Sequence, residues 1–313
     1  MNKSIKIWLN YTIGAAICAL LLYTIYGQVR QQATGMGQHL WVHTGPSWLL
    51  AACIALMLLN TWLESYKWHT LVSWAEATPY RTALASYLAG VAFSIITPNR
   101  IGEYPGRILY LGGRNTFRYI NISVSGIVSQ LAGIYTFGLM GLVYYNFAFP
   151  SPLAKAALAG CITINILIAV VYWRFDAWLP VMEKSKYLRR FAVYGRLMGR
   201  VSAANRMRVL GISLLRVAVF TAQYLFLLRW MNVELPLLQG FCLAALFFWI
   251  MAVVPSLALT ELGIRGTVSI YVFQHFSANT IGILAATGGI WLLNLIVPSV
   301  LGSILIVRMK WVR

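Results

Sequence analysis

Long apolar runs alternate with short basic loops along this chain, and the runs are of two kinds. Six stretches, near 7–26, 47–64, 119–146, 154–173, 208–230 and 281–307, read as helices that cross a membrane, which takes about 20 apolar residues. Two further runs are interrupted. One covers 82–97, breaks at a polar motif and resumes over 107–118; the other covers 238–254, breaks, and resumes over 266–277. At about 1.5 Å per residue these arms reach only ~17–25 Å, short of the ~30 Å hydrocarbon layer. Proline and glycine at each break oppose a continuous helix. Each pair of arms is therefore predicted to be a re-entrant hairpin, 82–118 and 238–277, with its irregular backbone buried in protein or lining a cavity. The expected fold is an all-α polytopic membrane protein, one transmembrane domain over 1–313, with six full spans and two hairpins.

Charge placement orients this arrangement. The chain carries 25 Lys and Arg against seven Asp and Glu. With the N-terminus inside and both hairpins returning to their side of entry, Arg30, Lys155 and Arg229 fall outside. Arg100, Arg107, Arg216 and Arg265 fall in hairpins or a span, and the remaining 18 fall inside. If all eight apolar units spanned, the split would be nine against 15. The first arrangement fits the positive-inside rule. It makes the basic loop 174–207 and both termini cytoplasmic, in the plasma (cytoplasmic) membrane. It also makes halves 1–150 and 151–313 inverted repeats, each span, span, hairpin, span, with the two breaks facing each other from opposite leaflets. Such repeats are a transporter signature.

Composition narrows the chemistry. Hydrophobic residues make up 60% of the chain and mean hydropathy is +0.72. The cations flank apolar helices and no basic soluble fold is visible, so membrane lipids rather than nucleic acid are the expected partners. Homo-oligomers remain open. Cys18, Cys53, Cys161 and Cys242 are single and lie in apolar segments, so they read as small core residues without disulfide or metal. No cofactor or metal is expected. The tryptophans Trp8, Trp41, Trp48, Trp62, Trp68, Trp173, Trp178, Trp230 and Trp311 read as an interfacial belt.

The candidate chemistry sits at the two breaks. The first is Pro98-Asn99-Arg100-Ile101-Gly102-Glu103-Tyr104-Pro105-Gly106-Arg107; the second is Pro255-Ser256-Leu257-Ala258-Leu259-Thr260-Glu261-Leu262-Gly263-Ile264-Arg265. Pro98, Gly102, Pro255 and Gly263 are expected to break the helix. In each motif an arginine follows a glutamate by four residues, so the pair shares a helix face. One reading is a self-neutralising ion pair that closes the hairpin. The functional reading adds a ligand: Arg100, Arg107 and Arg265 bind an anionic headgroup, and Glu103 and Glu261 orient the arginines or couple binding to protons. Helices starting near Tyr104 and Leu262 would add N–H donors. Arg216, two turns into a span, reads as snorkelling to the interface. Gln130, Asn165, Gln223 and Asn294 read as interhelical hydrogen-bond partners.

At these motifs the chain resembles the transmembrane flippase region of bacterial lysylphosphatidylglycerol synthases and related stand-alone membrane proteins. The matching residues are Thr97 to Glu103 with Arg107, and Val254-Pro255-Ser256 with Gly263-Ile264-Arg265; Tyr66-Lys67-Trp68-His69-Thr70-Leu71 is a looser match. The resemblance implies a lipid-translocating domain. The synthases' soluble aminoacyl-transferase domain has no counterpart here, so aminoacyl transfer is not expected. The second motif departs from the glycine-richer family pattern at Ser256 to Thr260.

Three functions follow. The leading expectation is a flippase or transporter for an amphiphile with an anionic, phosphate-bearing head, and not an enzyme. A membrane-embedded enzyme acting on lipid phosphates would need a base, nucleophile or metal that the hairpins lack; no catalytic residue is assigned. A scaffold that binds anionic lipid would use the motif charges structurally.

Overall fold

The computed structural model describes residues 44–95, 97, 100–112, 116–174, 201–254 and 261–307, with single positions 12, 16, 19, 23, 26, 27, 30 and 184. Among the described residues the fold is all-helical. Ten helices are used below: α1 Ser47–Ser73, α2 Tyr80–Ser94, α3 Glu103–Leu111, α4 Thr116–Ala148, α5 Pro152–Trp173, α6 Ala203–Trp230, α7 Leu237–Val253, α8 Glu261–Phe273, α9 Thr280–Trp291 and α10 Val297–Ile306. A π turn, Leu292–Ile296, makes α9 and α10 one helix.

Among the described residues five helices are long and apolar enough to cross a membrane: α1, α4 from Arg118, α5, α6 and the α9–α10 unit. The expected first span, near 7–26, falls largely outside the described residues. Helix α1 runs nine residues beyond its predicted end at 64. The polar residues that suggested an exit are satisfied inside the bundle instead: Glu64 pairs with Lys67 at 2.7 Å, and the Trp68 indole donates to Ser86 at 3.1 Å.

The interrupted units are pairs of short helices of 15 and nine, and 17 and 13 residues. Their second arms start at Glu103 and Glu261, ahead of the apolar runs at 107 and 266 and within one residue of the helix starts expected near Tyr104 and Leu262. Pro105 does not prevent this in α3, because the N–H groups of a helix's first turn have no intrahelical acceptor to lose. Arms α2 and α3 run antiparallel: the Ser86 hydroxyl donates to the Arg107 carbonyl at 2.8 Å, and Gly106 lies against Phe93. A side chain at Gly106 would put its Cβ 2.7 Å from the Phe93 ring and 3.0 Å from the Gly90 Cα, so this crossing needs glycine.

Side-chain pairs fix the helix directions. Helices α1 and α6 are antiparallel, with Cys53 beside Gln223 and Asn60 beside Arg216. Helix α10 runs antiparallel to α2, with the Ser299 hydroxyl donating to the Val91 carbonyl at 3.3 Å, and α7 runs antiparallel to α4, with Gly138 against Trp249 and Gly141 against Leu246. One end of the bundle, called here the basic end, therefore gathers the end of α1, both outer ends of the α2–α3 pair, the start of α4, the end of α5, the start of α6 and the end of α10. The start of α7, the end of α8 and the start of α9 lie at the other end, where the Asn279 amide donates to the Met231 carbonyl at 2.9 Å.

Two cores hold these elements. One packs Tyr224, Phe247, Phe248, Trp249 and Phe273 among α4, α6, α7, α8 and α9; the other packs Trp68, Tyr87, Ile122 and Trp291 among α1, α2, α4 and α9. Of the predicted belt, Trp48, Trp62 and Trp173 are exposed as expected. Trp68 is instead fully buried, because it packs into the second core. Trp8, Trp41, Trp178 and Trp311 lie outside the described residues. Cys53, Cys161 and Cys242 are buried free thiols.

Candidate functional site

Helix α1 carries Glu64 and Lys67 one turn apart, so both face the same side of the helix. That side meets α3 and α6, which bring Arg107 and Arg216. The Glu64 carboxylate consequently faces three cations: Lys67 Nζ at 2.7 Å, Arg107 Nη2 at 2.9 Å and Arg216 Nη1 at 3.2 Å. Arg107 Nη2 also bonds Glu103, its partner one turn earlier in α3. Three cations and two carboxylates thus form one cluster with a positive charge in excess.

Arg107 is held from every side. Its guanidinium carbon lies 5.1 Å from the Trp68 ring centroid and 4.9 Å from those of Tyr87 and Tyr104. Such aromatic faces stabilise a desolvated guanidinium by about 2 kcal/mol each at most. Both carboxylates share Nη2, while Nε and Nη1 are buried with no hydrogen-bond acceptor among the described residues. Arg107 and Glu64 are almost completely buried, whereas Glu103 and Arg216 each keep 23% of their side-chain exposure. The cluster is therefore reached from outside through Glu103 and Arg216.

An amide network continues it across the interior. Gln130 accepts from Lys67 at 3.0 Å and from Arg216 at 2.9 Å. Arg216 Nε donates to Asn60 at 3.1 Å, Asn60 donates to Asn294 at 2.8 Å, Asn294 to Gln223 at 2.9 Å, and Gln223 to the Cys53 carbonyl at 3.0 Å. Asn294 sits in the π turn. Pro298 lies four residues on, where a normal α turn would set its ring against the Asn294 carbonyl, and widening the turn avoids that clash.

The predicted residues fall as follows. Glu103 and Arg107 come together in the cluster. Gly102 is the N-cap of α3, and its N–H donates to the Thr97 hydroxyl at 2.8 Å. Arg100 lies just before it in a left-handed conformation, φ 57°. Arg265 is buried on α8, the helix whose Phe273 packs edge-on against Tyr224 of α6, about two turns along α6 from Arg216. Gly263 is the third residue of α8, inside the arm rather than at its break. Pro98, Pro255 and the Glu261 side chain lie outside the described residues. Gln130, Gln223 and Asn294 are interhelical partners as predicted, and Asn165 donates to the Tyr135 carbonyl at 3.0 Å.

Two expectations are corrected. Arg216 does not snorkel; its guanidinium turns inward, because Glu64 and Asn60 offer acceptors that the hydrocarbon layer does not. Lys67, counted among cytoplasmic loop residues, is buried with Glu64. Sequence reasoning missed Glu64, Lys67 and Asn60, although Glu64 is one of seven acids and stands within an apolar run.

The family model for the lysylphosphatidylglycerol synthase transmembrane region matches residues 11–302. The chain belongs to that family. No curated protein and no solved structure matches it. Family membership makes this a multi-pass membrane protein linked to the handling of anionic lipid. The cluster at Arg107 gathers three cations, Lys67, Arg107 and Arg216, around Glu64 in the interior of that fold.

Proposed function

We propose that the protein is a flippase-like transporter that moves an amphiphile with an anionic, phosphate-bearing head across the cytoplasmic membrane. One observation carries the reading: Arg107 is buried against three aromatic rings, in a cluster with excess positive charge, with two guanidinium nitrogens that have no acceptor among the described residues. A buried net charge in a membrane protein is costly and calls for a counter-ion. A phosphate oxygen suits a guanidinium fork. Glu103, the more exposed carboxylate, is the one a headgroup displaces; Glu64 stays and holds Lys67, Arg107 and Arg216 in place.

The topology supports transport. Pair α2–α3 enters and leaves the bundle at the basic end, and pair α7–α8 at the opposite end. Helix α1, the first pair and α4 are followed by α6, the second pair and α9–α10 with every direction reversed. We read these as re-entrant hairpins of an inverted repeat whose basic end faces the cytoplasm, since Arg81, Arg118, Arg174 and Arg208 cluster there. Arg265 then serves the opposite leaflet as Arg107 serves this one, with Glu261 as its orienting partner.

The test is translocation of a fluorescent anionic phospholipid in proteoliposomes. Arg107→Ala and Arg265→Ala each abolish transport while folded protein and topology persist. Normal transport by both variants refutes the reading. Loss of folded protein in both, with no effect of milder Arg→Lys changes on transport, assigns the motif charges to a scaffold.

A further inference from the structure

A second buried guanidinium lies at the basic end, outside the Arg107 cluster. Arg206, in the first turns of α6, is only 9% exposed, and its Nε and Nη1 find no acceptor among the described residues. Its carbonyl is already engaged by the Tyr172 hydroxyl at 2.7 Å, which ties the end of α5 to the start of α6. A second orphan stands beside it. Helices α4 and α6 run parallel, with Ser129 opposite Ser213 at 3.1 Å and Gln130 opposite Arg216 at 2.9 Å. Followed back along both helices, this register brings Ser125 level with Val209, one turn from Arg206. Ser125 is buried, and its hydroxyl has no partner either.

Tyr172 falls at the same level. Helices α4 and α5 are antiparallel, with Asn165 donating to the Tyr135 carbonyl at 3.0 Å, and seven residues further along α5 Tyr172 comes within a turn of Ser125. Arg206 and Ser125, donors without acceptors among the described residues, thus lie within about a turn of each other in level where α4, α5 and α6 meet, the region called here the niche. Among the described residues, Arg118, Arg174 and Arg208 lie at the same end of these three helices. Glu76, an acid at that end, is engaged by the Tyr119 hydroxyl at 3.0 Å.

We propose that this niche between α4, α5 and α6 binds one phosphate-type oxyanion, with Arg206 as its principal ligand and Ser125 as a second donor. An oxyanion supplies the acceptors that both buried groups lack, and cations at that end attract it. The site does not depend on the transport reading, because Arg107 belongs to other helices and a different cluster.

The experiment is thermal unfolding of the purified full-length chain in neutral detergent, followed by tryptophan fluorescence. The probes are dihexanoyl phosphatidic acid, inorganic phosphate and a short-chain diacylglycerol. Phosphatidic acid raises the midpoint of the wild type. Arg206→Gln weakens its apparent affinity about tenfold or more, whereas Arg208→Gln, which removes an exposed neighbouring charge, changes it less than about twofold. If Arg206→Gln does not fold, Arg206→Lys and Ser125→Ala replace it, and each weakens binding. Stabilisation by inorganic phosphate as well as lipid identifies a free-phosphate site; stabilisation by the lipid alone identifies a headgroup site. Equal affinity in the Arg206 and Ser125 variants overturns the proposal. So does stabilisation by diacylglycerol equal to that by phosphatidic acid, or no stabilisation of the wild type by either phosphate species.

Discussion

Glu64 is the residue on which the interior charge arrangement turns. Its carboxylate faces Lys67, Arg107 and Arg216, and its burial leaves no water to replace it. Removing one member of a buried ionic group costs about 3–5 kcal/mol, because the charges left behind stay desolvated. Glu64→Ala is therefore expected to lower the thermal midpoint in detergent sharply, and Glu64→Ala combined with Lys67→Met to recover a good part of the loss. Equal midpoints for wild type and Glu64→Ala would show the cluster to be solvated. Glu103 differs, being partly exposed and bonded to Arg107 alone among the described cations. Glu103→Gln is expected to cost at most about 1–2 kcal/mol while strengthening anionic lipid binding, since it removes the competitor for Arg107. Weaker binding in that variant, measured by native mass spectrometry, would refute the displacement step. The Glu103–Arg107 pair was legible from its spacing. Its connection to Glu64 was not, since residues 43 positions apart in sequence meet only because the fold carries the Arg107 side chain to α1.

At the scale of elements, the α2–α3 crossing is the tightest feature of the candidate site. The arms approach where Gly106 meets Phe93 and Gly90. Gly106→Val is expected to force the arms apart and cost about 1–3 kcal/mol, with a larger loss of transport because Arg107 is the next residue. A melting curve and transport rate indistinguishable from wild type would show that the crossing has slack. The interrupted runs were visible from arm length and from proline and glycine. The second arms were expected to start as helices near Tyr104 and Leu262 and start at Glu103 and Glu261, since a proline in the first turn of α3 interrupts nothing. The end of α1 was misplaced, because side chains that look like an exit from the membrane are paired inside the bundle. The π turn carrying Asn294 follows from Pro298, but that it points an amide at Asn60 and Gln223 depends on α1 and α6 lying alongside.

For the whole molecule, the two short-helix pairs enter from opposite ends, and the charged residues are divided unequally between those ends. Single cysteines in place of Ala204, at the basic end, and Lys155, at the other, are expected to react with a membrane-impermeant maleimide from opposite sides in intact cells. The native Cys53, Cys161 and Cys242 are buried and give little background. Labelling of both from one side would overturn the orientation. Membrane character, the helical class and the places where helices stop short were all determined by the sequence, because the hydrocarbon layer imposes a length and a polarity that any spanning segment must meet. Tertiary structure alone decided which charges meet. Glu64, Lys67 and Arg216 reside on two helices that look like ordinary spans, and only their antiparallel packing, with the Arg107 side chain reaching in from α3, turns separate polar positions into one buried cluster.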